Sequence, residues 1–189
     1  MKIPTPSLYN DCAYTLVSAE EIQATVDRIA AEIQKTYEGS DRRLVMVVIL
    51  KGSMPFAADL MKRLTLPVEL EFMKVSSYGA GTKSSGEIKI SLDLNRDDLQ
   101  DIDLLVVEDI VDSGHTLSRL VSLLSHRNAH SVRTCTLLDK PSRREKAITA
   151  DLVGFTVPDE FVVGYGLDYA QKYRNLPYIG VLKPEVYGG

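Results

Sequence analysis

Three acidic residues and a glycine-containing turn lie close together between residues 104 and 116. A run of aliphatic residues leads to the adjacent carboxylates Glu108 and Asp109, and a third carboxylate then opens the turn Asp-Ser-Gly-His-Thr at 112–116. Desolvating an unpaired carboxylate costs several kcal/mol, so a pair of them at the end of a buried strand must meet a cation, a hydrogen-bonding ligand or solvent. This segment therefore predicts a binding site for a polar ligand.

The turn has the composition of a phosphate-binding site. Ser113 and Thr116 supply hydroxyl groups, and Gly114 supplies backbone flexibility. A helix predicted to begin here leaves its first N–H groups without intrahelical partners, and such groups at a helix N-terminus bind phosphate. A simpler interpretation makes Asp112 or Ser113 an ordinary helix N-cap and leaves the carboxylates in solvent. The turn by itself leaves both interpretations open.

The elements around this segment predict an α/β domain with a largely parallel sheet. A continuous apolar run, typical of a strand covered on both faces, occupies residues 44–50, and two further buried strands are predicted at residues 104–111 and 131–138. Further strands are predicted at residues 68–75, 88–94, 152–157, 161–165 and 179–182. In such a sheet, ligands bind beyond the carboxyl ends of the strands, which is where residues 108–116 lie.

Three helices alternate with these strands. The first begins after Ser18, which forms a capping box with Glu21, and ends before Gly39. One apolar stripe along it consists of Ile22, Val26, Ile29 and Ile33. The other two helices are predicted at residues 54–64 and 116–127, and the polar, glycine-rich stretch 76–86 predicts a loop.

Composition excludes several classes of function. A length of 189 residues, with 44% hydrophobic and 25% charged residues, fits one globular domain. A net charge of -4 argues against a broad nucleic-acid surface, and no apolar run is long enough to span a membrane. We therefore expect a cytoplasmic protein with neither nucleic acid nor membrane as a partner. Cys12 and Cys135 make neither a disulfide framework nor a metal knuckle, and Cys135 is expected to be buried.

Two other nucleotide-binding patterns do not occur in full. The sequence has no Gly-x-x-x-x-Gly-Lys-Ser/Thr string, which excludes a P-loop. Gly164 and Gly166 begin a dinucleotide-like pattern, but Tyr169 stands where its last glycine would be, and no βαβ unit follows. The phosphate site is therefore expected at residues 112–116.

The segment 104–116 closely resembles the phosphoribosyl diphosphate signature of the type I phosphoribosyltransferases. The resemblance to the hypoxanthine/guanine members of that family extends from about Tyr9 to near Leu182. It implies a single domain, 1–189, with a mostly parallel sheet flanked by helices. The core would cover about residues 40–157, and a small hood would come from about residues 1–17 and 158–189. It also implies a homodimer or homotetramer.

The resemblance implies a purine-salvage reaction. The 5-phosphoribosyl group of 5-phosphoribosyl 1-diphosphate would pass to hypoxanthine or guanine, giving IMP or GMP and pyrophosphate. Asp112 would be the catalytic base that takes the proton from N7 of the purine. The residues that would bind ribose and the 5-phosphate are Glu108, Asp109, Asp112, Ser113, Gly114, His115 and Thr116.

Other matching positions imply the rest of the site. Lys51, Gly52 and Arg174 would bind pyrophosphate, with a peptide bond between Leu50 and Lys51 that is often cis in the family. A lid that contains Ser76, Ser77 and Tyr78 would close over the reacting centre. The purine would be bound by Lys140, Phe161, Val162 and Asp168, and Mg²⁺ would be held by Glu108, Asp109 and Asp168.

Lys140 would set the specificity for the base. Its ammonium group would donate to the exocyclic O6 of a 6-oxopurine, whereas the amino group of adenine cannot accept. Three alternatives remain: an enzyme of the same fold that acts on xanthine or adenine, a regulator that senses phosphoribosyl diphosphate and binds nucleic acid, and a generic α/β nucleotide-binding module.

Overall fold

The structure, a computed structural model, describes residues 8–77 and 88–188. In chain order the strands and helices are β1 (Cys12–Val17), α1 (Ala19–Tyr37), β2 (Arg43–Ile49), α2 (Met54–Met61), β3 (Val68–Ser77), β4 (Ile88–Leu92), β5 (Ile102–Val111), α3 (His115–His126), β6 (Ser131–Asp139), β7 (Leu152–Thr156), β8 (Val162–Val163), β9 (Ile179–Leu182) and α4 (Pro184–Tyr187).

Six of these strands form the main sheet, in the order β4-β3-β2-β5-β6-β7. The pairs from β3 to β7 are parallel, and β4 runs antiparallel to β3 at the edge. The carboxyl ends of the central strands β2, β5 and β6 therefore lie side by side. This confirms the predicted α/β fold with a largely parallel sheet.

Strand β2 is covered on both faces, as its continuous apolar run predicts. Along β2, Met46 and Val48 pack into the hydrophobic cluster that contains α1 and α2, whereas Val45 and Val47 pack into the cluster on the α3 side. Burying a side chain of this size contributes about 1.5–3 kcal/mol relative to leaving it in water. The two clusters hold the strands, and hence their carboxyl ends, in fixed positions.

The first helix begins and ends close to where the sequence predicts. The Ser18 hydroxyl accepts from the amide of Glu21 at 3.2 Å, and the Glu21 carboxylate accepts from the amide of Ser18 at 2.8 Å. The predicted apolar stripe is buried, and the chain leaves the helix before Gly39, whose φ is +77°. The capping box is therefore confirmed.

A second, three-stranded antiparallel sheet has the order β1-β9-β8 and uses segments from both ends of the chain. The sequence did not predict β1. The strand predicted at 161–165 is shortened to the two residues of β8, because Gly164, Tyr165 and Gly166 have positive φ angles of 100°, 46° and 104°. Extended backbone cannot continue through such a run.

Other boundaries differ by a few residues. Helix α2 ends three residues before the predicted end at 64, and β3 continues through Ser76 and Ser77, which pair with Lys89 and Ile88. The first two residues of the predicted loop 76–86 are thus strand, and Tyr78 with the rest of it lies outside the described residues. Cys135 is 1% exposed, as expected. Within residues 8–77 and 88–188, none of the helices combines the length and the apolar character that crossing a bilayer requires.

Candidate active site

Three cavities open at the carboxyl ends of β2, β5 and β6. The turn cavity, of about 90 Å³, is lined by residues between 108 and 117. The aromatic cavity, of about 440 Å³, lies beside Phe161, and the loop cavity, of about 260 Å³, lies beside Lys51. Ile110 lines all three, so they adjoin one another. Nearly all the predicted site residues whose side chains the structure describes line at least one of them: Lys51, Gly52, Glu108, Asp109, Asp112, Ser113, Gly114, Thr116, Lys140, Phe161, Val162, Asp168 and Arg174.

The turn cavity is formed where β5 passes into α3. Gly114 has a φ of +84°, and a Cβ at this position would lie 2.9 Å from Cδ of Arg144 and 2.9 Å from Cγ2 of Ile148. Both the backbone conformation and the close approach therefore require glycine. Among the described residues, no hydrogen bond within the protein uses the amides of residues 113–116. These amides are available to an anion.

His115, the first residue of α3, does not line any of these three cavities among the described contacts. Its Nε2 lies 2.8 Å from Oε2 of Glu145, which is an exposed side chain. The ring is thus oriented by a carboxylate from the segment after β6. A direct phosphate contact from His115 remains a prediction.

Glu108 and Asp109 end the buried part of β5 and share an unusual electrostatic environment. Burial, followed by the negative charge of Asp109, raises the pKa of Glu108 well above its ordinary value. Burial also raises the pKa of Asp109 to about 6, against the opposing effect of the Ile110 amide, which donates to Oδ1 at 2.9 Å. The charged form of these carboxylates is therefore stabilised when a ligand supplies hydroxyl donors or a cation.

Asp112 lies between two cavities, since it lines both the turn cavity and the aromatic cavity. Its Oδ1 atom is shielded from solvent yet accepts no hydrogen bond from any described residue. The Nε of Arg143 lies 3.6 Å away, which is beyond hydrogen-bond distance. A shielded carboxylate oxygen of this kind is ready to accept a proton or a hydrogen bond from a ligand in the aromatic cavity.

The loop cavity is built by close packing of three segments of the chain. The Leu50–Lys51 peptide bond is cis, as the resemblance implies. A Cβ on Gly52 would lie 1.5 Å from Oδ2 of Asp109, and a Cβ on Gly166 would lie 1.9 Å from the carbonyl oxygen of Gly52. These glycines let residues 50–52, the end of β5 and the loop after β8 meet.

Arg174 and Asp168 complete the wall of the loop cavity. One guanidinium nitrogen of Arg174 donates to the carbonyl of Gly166 at 2.7 Å, and another lies 2.7 Å from Oδ1 of Asp168. The second Asp168 oxygen accepts from the amide of Gln171 at 2.9 Å, and Gln171 also accepts from Lys51 Nζ at 3.1 Å. Two cationic side chains therefore border one small polar cavity.

The aromatic cavity combines a buried lysine with exposed rings. Lys140 is only 5% exposed, and its Nζ donates to the carbonyl of Glu160 at 2.8 Å. Phe161 is 37% exposed, although a phenyl ring is normally buried. Its neighbour Val162 is buried at the start of β8. A planar ligand could stack on Phe161 while the ammonium group reaches its edge.

Tyr187 is a residue of this cavity that the sequence did not reveal. Its ring stacks on Phe161 with centroids 4.6 Å apart and planes 22° from parallel, and it also lines the cavity. Tyr169 approaches Phe161 edge-on at 5.5 Å. The only local sequence signal is Pro184, which favours the first turn of a short helix but says nothing about where Tyr187 lies.

The predicted metal ligands line one cavity but do not form a complete metal site. Glu108, Asp109 and Asp168 all border the loop cavity. Among the described residues, however, no three His, Cys, Asp or Glu side chains are close enough to hold a metal ion. Mg²⁺ commonly takes one or two carboxylates and completes its shell with water and substrate phosphate oxygens. These residues therefore fit a metal that arrives with a phosphorylated ligand.

Comparisons with known proteins agree with this geometry. A family model described as a phosphoribosyl transferase domain matches residues 15–170. The chain is 54% identical to the hypoxanthine-guanine phosphoribosyltransferase of Bacillus subtilis over 178 residues, which cover 94% of this chain and 97% of that protein. It is 55% identical over 181 residues to a bifunctional TilS/HprT protein of Listeria innocua, covering 96% of this chain but only 28% of that longer relative.

A solved structure is also similar. The hypoxanthine phosphoribosyltransferase of Staphylococcus aureus matches with a TM-score of 0.92 at 46% identity, covering 99% of this chain and 100% of that one. The predicted type I phosphoribosyltransferase fold is confirmed by this match. The chain therefore belongs to the phosphoribosyltransferase family and, within it, to the hypoxanthine-guanine phosphoribosyltransferases.

Proposed function

We propose that the protein transfers the 5-phosphoribosyl group of 5-phosphoribosyl 1-diphosphate to hypoxanthine or guanine, forming IMP or GMP and releasing pyrophosphate. The observation that carries this proposal is the meeting of the three cavities at Ile110. An amide-lined turn, an aromatic cavity with a buried lysine and a polar loop cavity surround one point. The substrate ribose carries both the 5-phosphate and the diphosphate, and the purine bonds to the same ribose. Binding sites for the three groups must therefore meet at one point.

The turn cavity would bind the 5-phosphate, and the carboxylates beside it would face the ribose. The amides of residues 113–116 are suited to the phosphate oxygens, and the Thr116 hydroxyl adds a donor. Glu108 and Asp109 would accept from the 2- and 3-hydroxyl groups, which are uncharged donors. This division separates the acidic groups from the phosphate, which they would otherwise repel.

Asp112 would act as the general base. As N9 of the purine bonds to C1 of the ribose, the bond from C1 to the diphosphate breaks and the proton on N7 passes to Asp112. The ribose carbon develops positive charge in the transition state, so positioning and electrostatic stabilisation supply most of the acceleration. The Oδ1 of Asp112 lies between the turn and aromatic cavities, is shielded from solvent and accepts no hydrogen bond from the part of the chain that the structure describes, which supports this role.

Lys140 and Phe161 would recognise the base. Phe161 would stack on the purine, and the Val162 backbone would bond to its edge. The Nζ of Lys140, already directed by the Glu160 carbonyl at 2.8 Å, would donate to O6 of hypoxanthine or guanine. Adenine presents an amino donor at this position, so two donors would face each other and binding would weaken strongly.

The loop cavity would bind the diphosphate, with the backbone of Lys51 and Gly52 on one side and Arg174 on the other. Phosphoribosyltransferases are generally Mg²⁺-dependent. We propose that Asp168, with Glu108 and Asp109, holds the metal together with diphosphate oxygens, where it would offset the charge of the departing pyrophosphate. A lid that includes Ser76, Ser77 and Tyr78 stays a prediction.

The division into a core of about residues 40–157 and a hood from about 1–17 and 158–189 is also part of this proposal. The three-stranded sheet β1-β9-β8, built from both ends of the chain, supports it. A homodimer or homotetramer and a cytoplasmic location remain predictions.

Nucleotide formation tests the proposed function directly. The purified protein would be supplied with 5-phosphoribosyl 1-diphosphate and, in separate reactions, hypoxanthine, guanine, xanthine or adenine, with and without Mg²⁺. We expect IMP and GMP, no AMP, and loss of turnover when Mg²⁺ is removed. If no purine releases pyrophosphate, the protein is not a transferase and a regulator that senses the diphosphate becomes the better interpretation.

A further inference from the structure

Arg144, in the segment that follows β6, contacts the back of the turn that forms the turn cavity. Its Nε donates to the carbonyl of Asp112 at 3.0 Å, and one terminal nitrogen donates to the carbonyl of Val111 at 3.2 Å. The other terminal nitrogen donates to the carbonyl of Ile148. One guanidinium group therefore joins the turn to the segment that packs behind it.

The neighbouring carbonyls of the turn are bonded from the same side. The Val111 carbonyl also accepts from the amide of Lys140 at 2.9 Å. The Ser113 carbonyl accepts from the amides of Glu145 and Lys146 at 2.9 and 3.1 Å. Among the described residues, the Asp112 carbonyl alone of these three depends on a side chain, that of Arg144, for its hydrogen bond.

Fixing a carbonyl also fixes the next amide. In a planar trans peptide the C=O and N–H bonds point in opposite directions. Holding the carbonyls of Val111, Asp112 and Ser113 against the segment 140–146 therefore turns the amides of the following residues, 112–114, to the other side. The turn cavity, lined by residues 112–114 and 116 among others, lies at this turn.

The positive charge of Arg144 is already paired. Its guanidinium group contacts the carboxylate of Asp139, and the two side chains are only 14% and 9% exposed. Ion pairing inside the protein leaves little net charge to attract a phosphate. The contribution of Arg144 must therefore come from its hydrogen-bond geometry, which a planar fork of donors supplies and an ammonium group does not.

We propose that Arg144 is a positioning residue that orients the Ser113 amide toward the 5-phosphate of the substrate. The inference rests on the proposed function, because it takes the turn cavity as the 5-phosphate site. Without the guanidinium fork, the Asp112–Ser113 peptide is free to rotate and can present its carbonyl to the phosphate. Binding of phosphorylated ligands then weakens, while the aromatic cavity keeps its shape.

The test compares Arg144→Gln and Arg144→Lys with Arg96→Gln as a matched control. Arg96 is similarly buried, with 12% of its side chain exposed, and forms ion pairs with Asp98 at 2.8 Å and Glu69 at 2.7 Å. These partners lie at the amino ends of β3 and β5, opposite the site. The control thus removes a buried, multiply bonded arginine without touching the turn.

Steady-state kinetics with each substrate varied at saturating levels of the other gives the deciding result. We expect both Arg144 variants to raise the KM for 5-phosphoribosyl 1-diphosphate at least tenfold and to change the KM for hypoxanthine less than twofold. Arg96→Gln lowers the melting temperature but leaves both KM values unchanged. If Arg144→Gln does not fold, Arg144→Lys, which keeps a cation beside Asp139, carries the test.

Three results overturn the proposal. A normal KM for the diphosphate substrate in Arg144→Lys would show that charge, and not the fork, matters. An equal rise of both KM values would indicate a general loss of structure, as would a similar rise in Arg96→Gln. If the wild-type protein has no transferase activity, the proposed function fails first. In that case IMP binding still tests the orientation of the turn. We expect IMP to bind more weakly to the Arg144 variants than to the wild type and equally well to Arg96→Gln.

Discussion

Asp112 owes its place in the mechanism to chemistry that is local in the sequence. A buried strand, a carboxylate and a glycine turn follow one another within a few residues, so their types and order favour a phosphate site, and the family resemblance of the same segment implies that Asp112 is the base. The place of Tyr187 in the site is not local in the sequence, because its contact with Phe161 joins residues 26 positions apart through the second sheet. No local pattern could indicate that contact.

Replacing Asp112 with asparagine tests the general base. Asparagine has nearly the same shape and keeps the turn, but it cannot take the N7 proton. General-base catalysis typically contributes 10²–10⁴-fold, so we expect kcat to fall by about that factor. The KM for 5-phosphoribosyl 1-diphosphate should change little. Initial-rate measurements check this, and an unchanged kcat would remove Asp112 from the role.

Tyr187→Ala tests the aromatic wall. Stacked aromatic pairs contribute about 0.5–1.5 kcal/mol beyond their buried area. Loss of the ring that supports Phe161 should therefore raise the KM for hypoxanthine roughly two- to tenfold and leave the KM for the diphosphate substrate unchanged. Tyr187→Phe keeps the stacked ring and serves as the control, which should behave as wild type. A lower KM for hypoxanthine in Tyr187→Ala would mean that Tyr187 obstructs the cavity.

At the scale of elements, the sequence predicts the strands better than the loops between them. Strand β2, for example, is covered on both faces, and its continuous apolar run indicates this directly. Strand β1 was missed because it is short, mostly exposed and pairs only along β9, which lies near the other end of the chain, so no neighbouring segment indicates the pairing. The loop after β8 depends on close approaches across the fold, such as Gly166 against Gly52, which spacing along the chain cannot show.

Gly166→Ala tests whether that close approach builds the loop cavity. A Cβ there would lie 1.9 Å from the Gly52 carbonyl oxygen, and the φ of +104° is unfavourable for alanine. We expect residues 50–52 to move and kcat/KM for the diphosphate substrate to fall at least tenfold, because small displacements of positioned groups have effects of this size.

Gly39→Ala is the matched control for this substitution. Gly39 also has a positive φ, +77°, but a Cβ there would have no atom within 4 Å. Alanine should therefore cost about 1 kcal/mol of stability through backbone strain alone and leave the kinetics unchanged. Equal kinetic effects of the two substitutions would show that the Gly52 contact does not shape the site.

At the scale of the whole molecule, acidic groups at the two ends of the parallel strands are in opposite electrostatic conditions. At the amino ends, hydrogen bonds from Arg96 and then Arg43 lower the pKa of Asp98. At the carboxyl ends, burial raises the pKa of Glu108 well above its ordinary value and that of Asp109 to about 6. The lowered pKa of Asp98 stabilises the folded state at neutral pH. The raised pKa values of Glu108 and Asp109 destabilise it, which is typical of functional sites.

Asp109→Asn should therefore make the protein more stable at pH 7 while impairing turnover. The unfolded pKa is about 3.9 and the folded pKa is about 6, so between these values the folded state holds more protons than the unfolded state. The stability of the wild type thus falls as pH rises from about 4 to about 6 and stays low above that window. Asparagine has no such loss, and a pKa difference of about 2 corresponds to a gain of about 3 kcal/mol at pH 7.

Calorimetric melting at several pH values between about 2 and 8 measures this difference. The melting temperature of Asp109→Asn should exceed that of the wild type only slightly at pH 4 and by about 6–12 °C at pH 7. Asp98→Asn is the control, for which we expect the opposite change in melting temperature. Its pKa is lowered in the folded state, so the substitution should reduce the melting temperature at pH 7, with a deficit that shrinks as pH falls below about 4. If Asp109→Asn raised the melting temperature equally at pH 4 and pH 7, its effect would come from packing and not from removal of the buried charge.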